Sequence, residues 1–268
     1  MNHLHRELAP ISDAGWDLID DEAKSRLPTY LAARKLVDFA GPHGWTYSST
    51  DLGRIQEIAG PSEGVAAAQR KVLPVVELRT EFKVSRIELD DVDRGTSTPD
   101  LAELDEALRQ IALGENAIVF HGYEAGGIEG ITESTSHEPI AIADIAQAPD
   151  GVARGVEALR RAGIDGPYGL AICPDMYTTI VETTEMGGEL LKDHLRKILG
   201  GPLVWAPGIE GGVVLSLRGG DFKIESGQDL SIGYLDHDAD VVRLYLEESL
   251  NFRVLEPDAA VAIRLGKK

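Results

Sequence analysis

TPDLAELDEALRQI, residues 98–111, sets Leu101, Leu104, Leu108 and Ile111 on one face of a helix, with Thr98 and Pro99 as cap and first-turn residue. Strand patterns stand apart on either side of this helix. Upstream, Val76, Leu78, Phe82 and Val84 alternate with Glu77, Arg79, Glu81 and Lys83, a period of two with one apolar and one charged face. Downstream, Val242, Leu244 and Leu246 share a face, and Leu250, Phe252 and Val254 read as the next strand. Between the helix and those strands, residues 150–207 alternate between the two periods. Val152–Ala162, Met176–Thr183 and Leu190–Leu199 read as helices, the last stopping at Gly200-Gly201, while YGLAIC and LVWAP read as strands. A long helix with separate strand groups before and after it implies an α+β fold carrying an inserted α/β block, not a doubly wound parallel sheet.

Toward the N-terminus, Ser12 is the N-cap of a helix over 12–25, with Trp16, Ile19 and Ala23 on its buried side. Pro28 breaks that helix and opens a second one running to about Val37, along which Tyr30, Leu31, Arg34 and Asp38 fall on one side. GPHGW at 41–45 is a turn, and the Gly- and Pro-containing segment from Tyr47 to Gly64 is an extended excursion that returns through the 76–84 strand.

The 268 residues carry 26 basic and 45 acidic side chains, a formal net charge of −19. That is the wrong sign for binding nucleic acid through counterion release or for docking on anionic lipid. Cys173 is the only cysteine, which leaves no intrachain disulfide and suits a reducing compartment. The start of the chain lacks a secretory pattern and no apolar run approaches about 20 residues, so a cytoplasmic protein without a membrane partner is expected.

Enzyme signatures are missing. There is no GxxxxGK[ST] phosphate loop and no HExxH zinc helix. GGIEG (126–130) and GIEGG (208–212) read as turns. His3 and His5 read as a solvated tail, and Cys173 as a buried inert thiol. Asp221, Asp229, Asp236, Asp238 and Asp240 crowd one region, but DHDAD (236–240) lacks the Gly and closing Glu of a calcium loop and reads as a hairpin turn. No catalytic residue and no metal ligand is assigned.

Four stretches in order, ARKLVDFAGPHGW (33–45), GIDGPYGLAI (163–172), RGGDF (218–222) and GQDLSIGY (227–234), resemble the encapsulins, linocin-type proteins that build bacterial nanocompartments. The resemblance implies a Hong Kong 97 phage-capsid-like fold and a hollow icosahedral shell of ~60 copies, one per general position of the point group. It implies N-terminal helices and the start of a peripheral domain over 1–46, and an extended loop overlapping a neighbour over 47–79. It further implies peripheral domain with the long spine helix over 80–137, an axial domain over 138–220, and peripheral C-terminal strands over 221–268. The shell itself is expected to do no chemistry. Its cargo would be an enzyme such as a dye-decolorising peroxidase or a ferritin-like protein, held by a C-terminal targeting peptide.

By the same resemblance, that peptide lies against Leu27, Tyr30, Leu31, Arg34, Leu36 and Asp38 on one side and Asp229, Leu230 and Ile232 on the other. Arg34 and Asp38 would fix its direction, unless they pair with each other four residues apart on one helix. The five-fold pore would be lined by Thr184, Glu185, Met186, Gly187, Gly188 and Glu189, two glycines between acidic residues that favour cations and small neutral solutes. Some relatives bind flavin through an aromatic residue near the end of the loop strand. Ile87 stands at that place, so no cofactor is expected. A hydrolase or peptidase, or a phage capsid protein, is the alternative.

Overall fold

The computed structural model describes residues 3–184 and 190–266. Ser12 caps α1 (Asp13–Tyr30), its hydroxyl accepting the Gly15 N–H at 3.1 Å, and Trp16, Ile19 and Ala23 are buried as expected. Pro28 does not break this helix. It lies in the last turn, where only one bond, to the carbonyl of exposed Lys24, is forfeited. The expected second helix is instead a single 3₁₀ turn at Ala33–Lys35, and Asp38 opens a strand, β1 (Asp38–Ala40).

The excursion is a two-stranded antiparallel ribbon of β2 (Ser49–Ile58) and β3 (Ala67–Pro74). It exposes Ile55, Ile58, Val65 and Val72. β4 (Val76–Ser85) follows and leads into a short helix, α2 (Arg86–Asp93), that the periodicity left unread. The long helix is α3 (Ala102–His121). Its first turn is held by Asp100, whose carboxylate accepts the Ala102 N–H, and Thr98-Pro99 lie in the loop before it. Leu104, Leu108 and Ile111 are buried.

The chain then runs through α4 (Ile131–Ser134), β5 (Ile140–Ile142), α5 (Ala148–Arg161), β6 (Tyr168–Ile172), α6 (Pro174–Glu182) and α7 (Leu191–Leu199). Gly200 ends α7 in the left-handed region at φ 68°, the conformation a helix stop requires and glycine adopts without strain. The last strands are β7 (Leu203–Trp205), β8 (Gly212–Ser216), β9 (Phe222–Ser226), β10 (Ser231–His237), β11 (Val241–Val254) and β12 (Ala260–Leu265).

Two five-stranded sheets organise these elements. In the first, β11 is one continuous 14-residue strand, not two, and Glu247-Glu248-Ser249 contains no glycine, proline, asparagine or aspartate to turn the chain. One edge of β11 pairs with β4 from Val241 to Leu250, and the other with β10 and then β9, which in turn holds β1. Residues 76–79, expected in the excursion, therefore belong to this sheet. The second sheet runs β5-β12-β8-β6-β7. Its core is the inserted block, but β12 joins it too, so the last strand leaves the peripheral group to which the sequence assigned it.

The cores follow the sheets. α1 and α3 cover the first sheet, burying Trp16, Ile19, Leu104 and Leu108 against Phe82, Ile232, Leu244 and Leu246. α5 and α7 pack on each other and on the second sheet through residues such as Val156, Leu159, Leu195 and Leu199. No described helix is long and apolar enough to cross a membrane.

Candidate functional site

α1 and β10 run beside each other because both place their apolar side toward the first core. At the rim, where that core reaches the surface, Ala23 and Leu27 of the helix face Leu230, Ser231 and Ile232, with Leu246 beneath. They enclose a groove of about 260 Å³, room for two medium apolar side chains. Leu27, Leu230 and Ile232, expected together, are brought together.

One end of the groove is closed by the N-terminal segment, which is not the solvated tail expected. The Tyr234 N–H donates to the Leu4 carbonyl at 2.8 Å, and Leu4 is buried. Arg6 bonds Asp20 at 2.9 Å and lies 3.9 Å over the Trp16 ring. His3 stacks on Trp45 at 3.8 Å, with its Nε2 3.2 Å from Glu247.

Arg34 is not on the helix side. The 3₁₀ turn swings it inward, where its Nε donates to Glu115 Oε2 at 2.7 Å, Nη1 to Asp229 Oδ1 at 2.8 Å and Nη2 to Glu248 Oε2 at 3.0 Å. The guanidinium also lies 4.7 Å from the Phe39 ring. Asp38, the alternative partner, is elsewhere: its carboxylate accepts the Gly220 N–H at 2.6 Å. Leu36 is buried and, with Asp38, borders a separate cleft of about 190 Å³. Leu31 is buried, and the Tyr30 ring turns toward Trp205, 6.1 Å away. Three of the nine expected residues thus line the groove, and Arg34 with Asp229 stands behind it. The Asp229 carboxylate that accepts from Arg34 also accepts the Leu230 N–H at 2.8 Å, so the ion pair positions the first residue of the groove wall.

Glu115 and Glu248 are fully enclosed members that the sequence reading missed. Three carboxylates share one guanidinium. Burial first, and the neighbouring Glu115 second, push Glu248 well above the usual carboxylate range, against the pull of Arg34. Burial alone would lower the Arg34 pKa, but Glu115, Glu248 and Asp229 outweigh it and raise it. Burial and Glu115 both favour the neutral form of Glu248, whose Oε1, like Glu115 Oε1, is buried without a hydrogen-bond partner among the described residues.

The sign of the resulting pH dependence follows. A carboxyl with a folded pKa above its unfolded value binds more protons when folded, so its contribution falls as pH rises from the unfolded pKa, about 4.3, through the folded one. Glu248→Gln, which keeps an acceptor for Arg34 without the titration, should grow more stable relative to the natural protein with rising pH, by at most about 1.4 kcal/mol per unit. Urea midpoints at a series of pH values test this. A difference that stays flat would remove Glu248 as the proton carrier.

Of the remaining expectations, Thr184 pairs with Leu190 as an isolated bridge, while Glu185, Met186, Gly187, Gly188 and Glu189 lie outside the described residues. Ile87 sits on α2, 67% exposed. Asp238 holds the β10–β11 hairpin by accepting from the Asp240 and Val241 amides, and Arg243 pairs with Asp236 and Asp238. Asp221 is not a surface group: it is buried on Arg218. Cys173 is half-buried at the start of α6. Among the described residues no group of three or more His, Cys, Asp or Glu side chains is arranged to hold a metal ion.

Comparison with known proteins bears on this arrangement. A family model described as "Encapsulating protein for peroxidase" (Linocin_M18) matches residues 1–251. A type 1 encapsulin shell protein of Rhodospirillum rubrum is 46% identical over 271 aligned residues, covering 98% of this chain and 97% of the relative. Among solved structures, a virus-like particle from Pyrococcus furiosus superposes with a TM-score of 0.67 at 18% identity, over 92% of this chain and 98% of that one. The structure titled Mycobacterium phage Bobi superposes with a TM-score of 0.60 at 12% identity, over 89% and 91%.

Proposed function

We propose, from the premise that this chain belongs to the encapsulin family of shell proteins and has their phage-capsid-like α+β fold, that it is the subunit of a closed particle of ~60 copies. Its role is structural, and no catalytic step is assigned to it. The particle stands in the cytoplasm and carries an enzyme such as a dye-decolorising peroxidase or a ferritin-like protein. The ribbon of β2 and β3 overlaps a neighbouring subunit, which accounts for the exposed Ile55, Ile58, Val65 and Val72 on a two-stranded element with no core of its own.

The groove between α1 and β10 faces the lumen and takes the cargo's C-terminal peptide. The observation that carries this reading is the meeting of Leu27, Leu230 and Ile232 above Leu246 at an opening in the first core. Arg34 contributes by holding Asp229 and through it Leu230, not by touching the peptide. Asp38, Leu36, Tyr30 and Leu31 support the surrounding fold.

Each apolar anchor buried there is worth roughly 1.5–3 kcal/mol, offset by the cost of ordering a flexible tail. Co-expression with a fluorescent reporter carrying C-terminal tails from the gene's immediate neighbours should give hollow particles that retain one of those reporters. Leu230→Asp should lower retention about tenfold or more with particle yield unchanged, since one lost anchor corresponds to that ratio. Particles that form but retain every reporter equally with and without the substitution would remove the groove as the cargo site. Absence of particles by negative-stain microscopy would remove the shell reading itself.

A further inference from the structure

β10 pairs with β11 on one side only, and the register sets which of its backbone groups face outward. Ser231 stands opposite Glu247, Ile232 opposite Leu246, Gly233 opposite Tyr245 and Tyr234 opposite Leu244. The Tyr234 N–H points away from β11, because it donates to the Leu4 carbonyl at 2.8 Å. Backbone groups of a strand alternate in direction, so Ile232, two residues earlier, presents its N–H and C=O to the same outer side. Among the described residues no hydrogen-bond partner meets the Ile232 N–H. One step further back, the Leu230 N–H is already satisfied by Asp229. The open position on this edge is therefore Ile232, at the mouth of the groove, with 4% of its surface exposed.

Resting on the proposed cargo groove, we infer that the guest peptide binds as an added strand on the outer edge of β10, its backbone exchanging hydrogen bonds with Ile232. The chain already uses this edge in that way one position along, where Leu4 meets Tyr234. The same alternation dictates the guest's side chains. A residue paired with Ile232 points its side chain to the same face as Ile232, toward Leu27 and Leu246, and the residues on either side of it point away. The partner is thus an extended tail with apolar residues two apart, and its pairing residue cannot be proline. Leu4 and Arg6, the latter fixed by Asp20 and Trp16, end the slot and limit the guest to a short strand.

The test separates backbone from side-chain recognition. Shells are disassembled and reassembled with a fluorescein-labelled octapeptide of serines carrying leucine at its fourth and sixth positions, and retained label per subunit is measured. N-methylation, which removes one amide donor, is placed at each residue in turn. Retention should fall about tenfold when a leucine amide is methylated and stay within about twofold when a neighbouring serine amide is methylated, the ratio expected for one hydrogen bond in a shielded site. Retention that depends on the leucine side chains but on no amide would overturn strand addition and leave the groove standing. Retention no better than that of an all-serine octapeptide would overturn both.

Discussion

Arg34→Met is expected to destabilise the folded subunit by about 3–5 kcal/mol, the usual cost of removing one partner from a buried ion pair. Among the described residues Arg34 is the one cation paired with Glu115, Glu248 and Asp229, and the first two are enclosed. Methionine restores much of the side chain's volume, so the loss is electrostatic and not a cavity effect. Glu115 and Glu248 are left facing each other in a low-dielectric site, where one shared proton neutralises only one of them. Arg34→Lys should fall between, because an ammonium supplies charge but not three directed donors held in a plane. The triple variant Arg34→Met/Glu115→Leu/Glu248→Leu should recover most of the loss, since it removes the charges along with their counterion. Urea unfolding followed by tryptophan fluorescence, at matched protein concentration because assembly is coupled to folding, reads these differences. A single-substitution cost under about 1 kcal/mol would mean that the carboxylates are balanced by something other than Arg34.

The elements whose periodicity is unbroken were legible from the residues alone. β4, β6, α7 and the Ser12 cap stand where the spacing put them, and α3 and α5 are the expected helices with displaced starts, α3 beginning at Ala102 past Thr98-Pro99 and α5 at Ala148 ahead of Val152. Misreadings arose where a local signal met a tertiary one. Pro28 marks a helix break in isolation, yet in the final turn the bond it removes is nearly idle. Reading Val242–Leu246 and Leu250–Val254 as two strands left Glu248 between them. The even-numbered face of β11, however, runs Val242, Leu244, Leu246, Glu248, Leu250 and Phe252 without a change of phase. Continuing that phase through the charge would have pointed to a buried glutamate. Likewise, the buried face of α3 was followed only to Ile111, although Glu115 lies one turn further along it. Side chains that satisfy distant backbone carry no such signal. The groove was legible only in part, through resemblance, since Arg34 and Asp38 separate at a 3₁₀ turn that no propensity marks.

Asn116→Leu should cost a comparable 3–5 kcal/mol, for a different reason. Asn116 is fully buried in α3, and its four hydrogen bonds all go to the backbone of other segments. Its Oδ1 accepts the Ala32 and Ala33 N–H groups at 3.0 Å each where the chain turns out of α1; the Ala32 N–H also donates to the Tyr30 carbonyl at 2.8 Å, while among the described residues the Ala33 N–H has no other acceptor. Its Nδ2 donates to the carbonyls of Tyr30 at 2.8 Å and Pro207 at 2.9 Å, tying the end of α1 to the loop after β7. Leucine fills the space but strands the Ala33 N–H and the Pro207 carbonyl away from water, at about 1–3 kcal/mol each, while Ala32 and Tyr30 keep their bond to each other. Asn116→Asp keeps both acceptor bonds and loses both donors, while adding a carboxylate next to Glu115. It should be at least as destabilising at pH 8 and recover toward pH 5, where the new carboxyl can take up a proton and donate once more. The leucine variant, having nothing to titrate, should show no such recovery relative to the natural protein. Because the end of α1 carries Leu27, both variants should also lower reporter retention in whatever particles still form. Unfolding midpoints at the two pH values and retention per particle read the two consequences separately. Full stability in Asn116→Leu would mean that the turn after α1 is held by its own packing and not by this side chain.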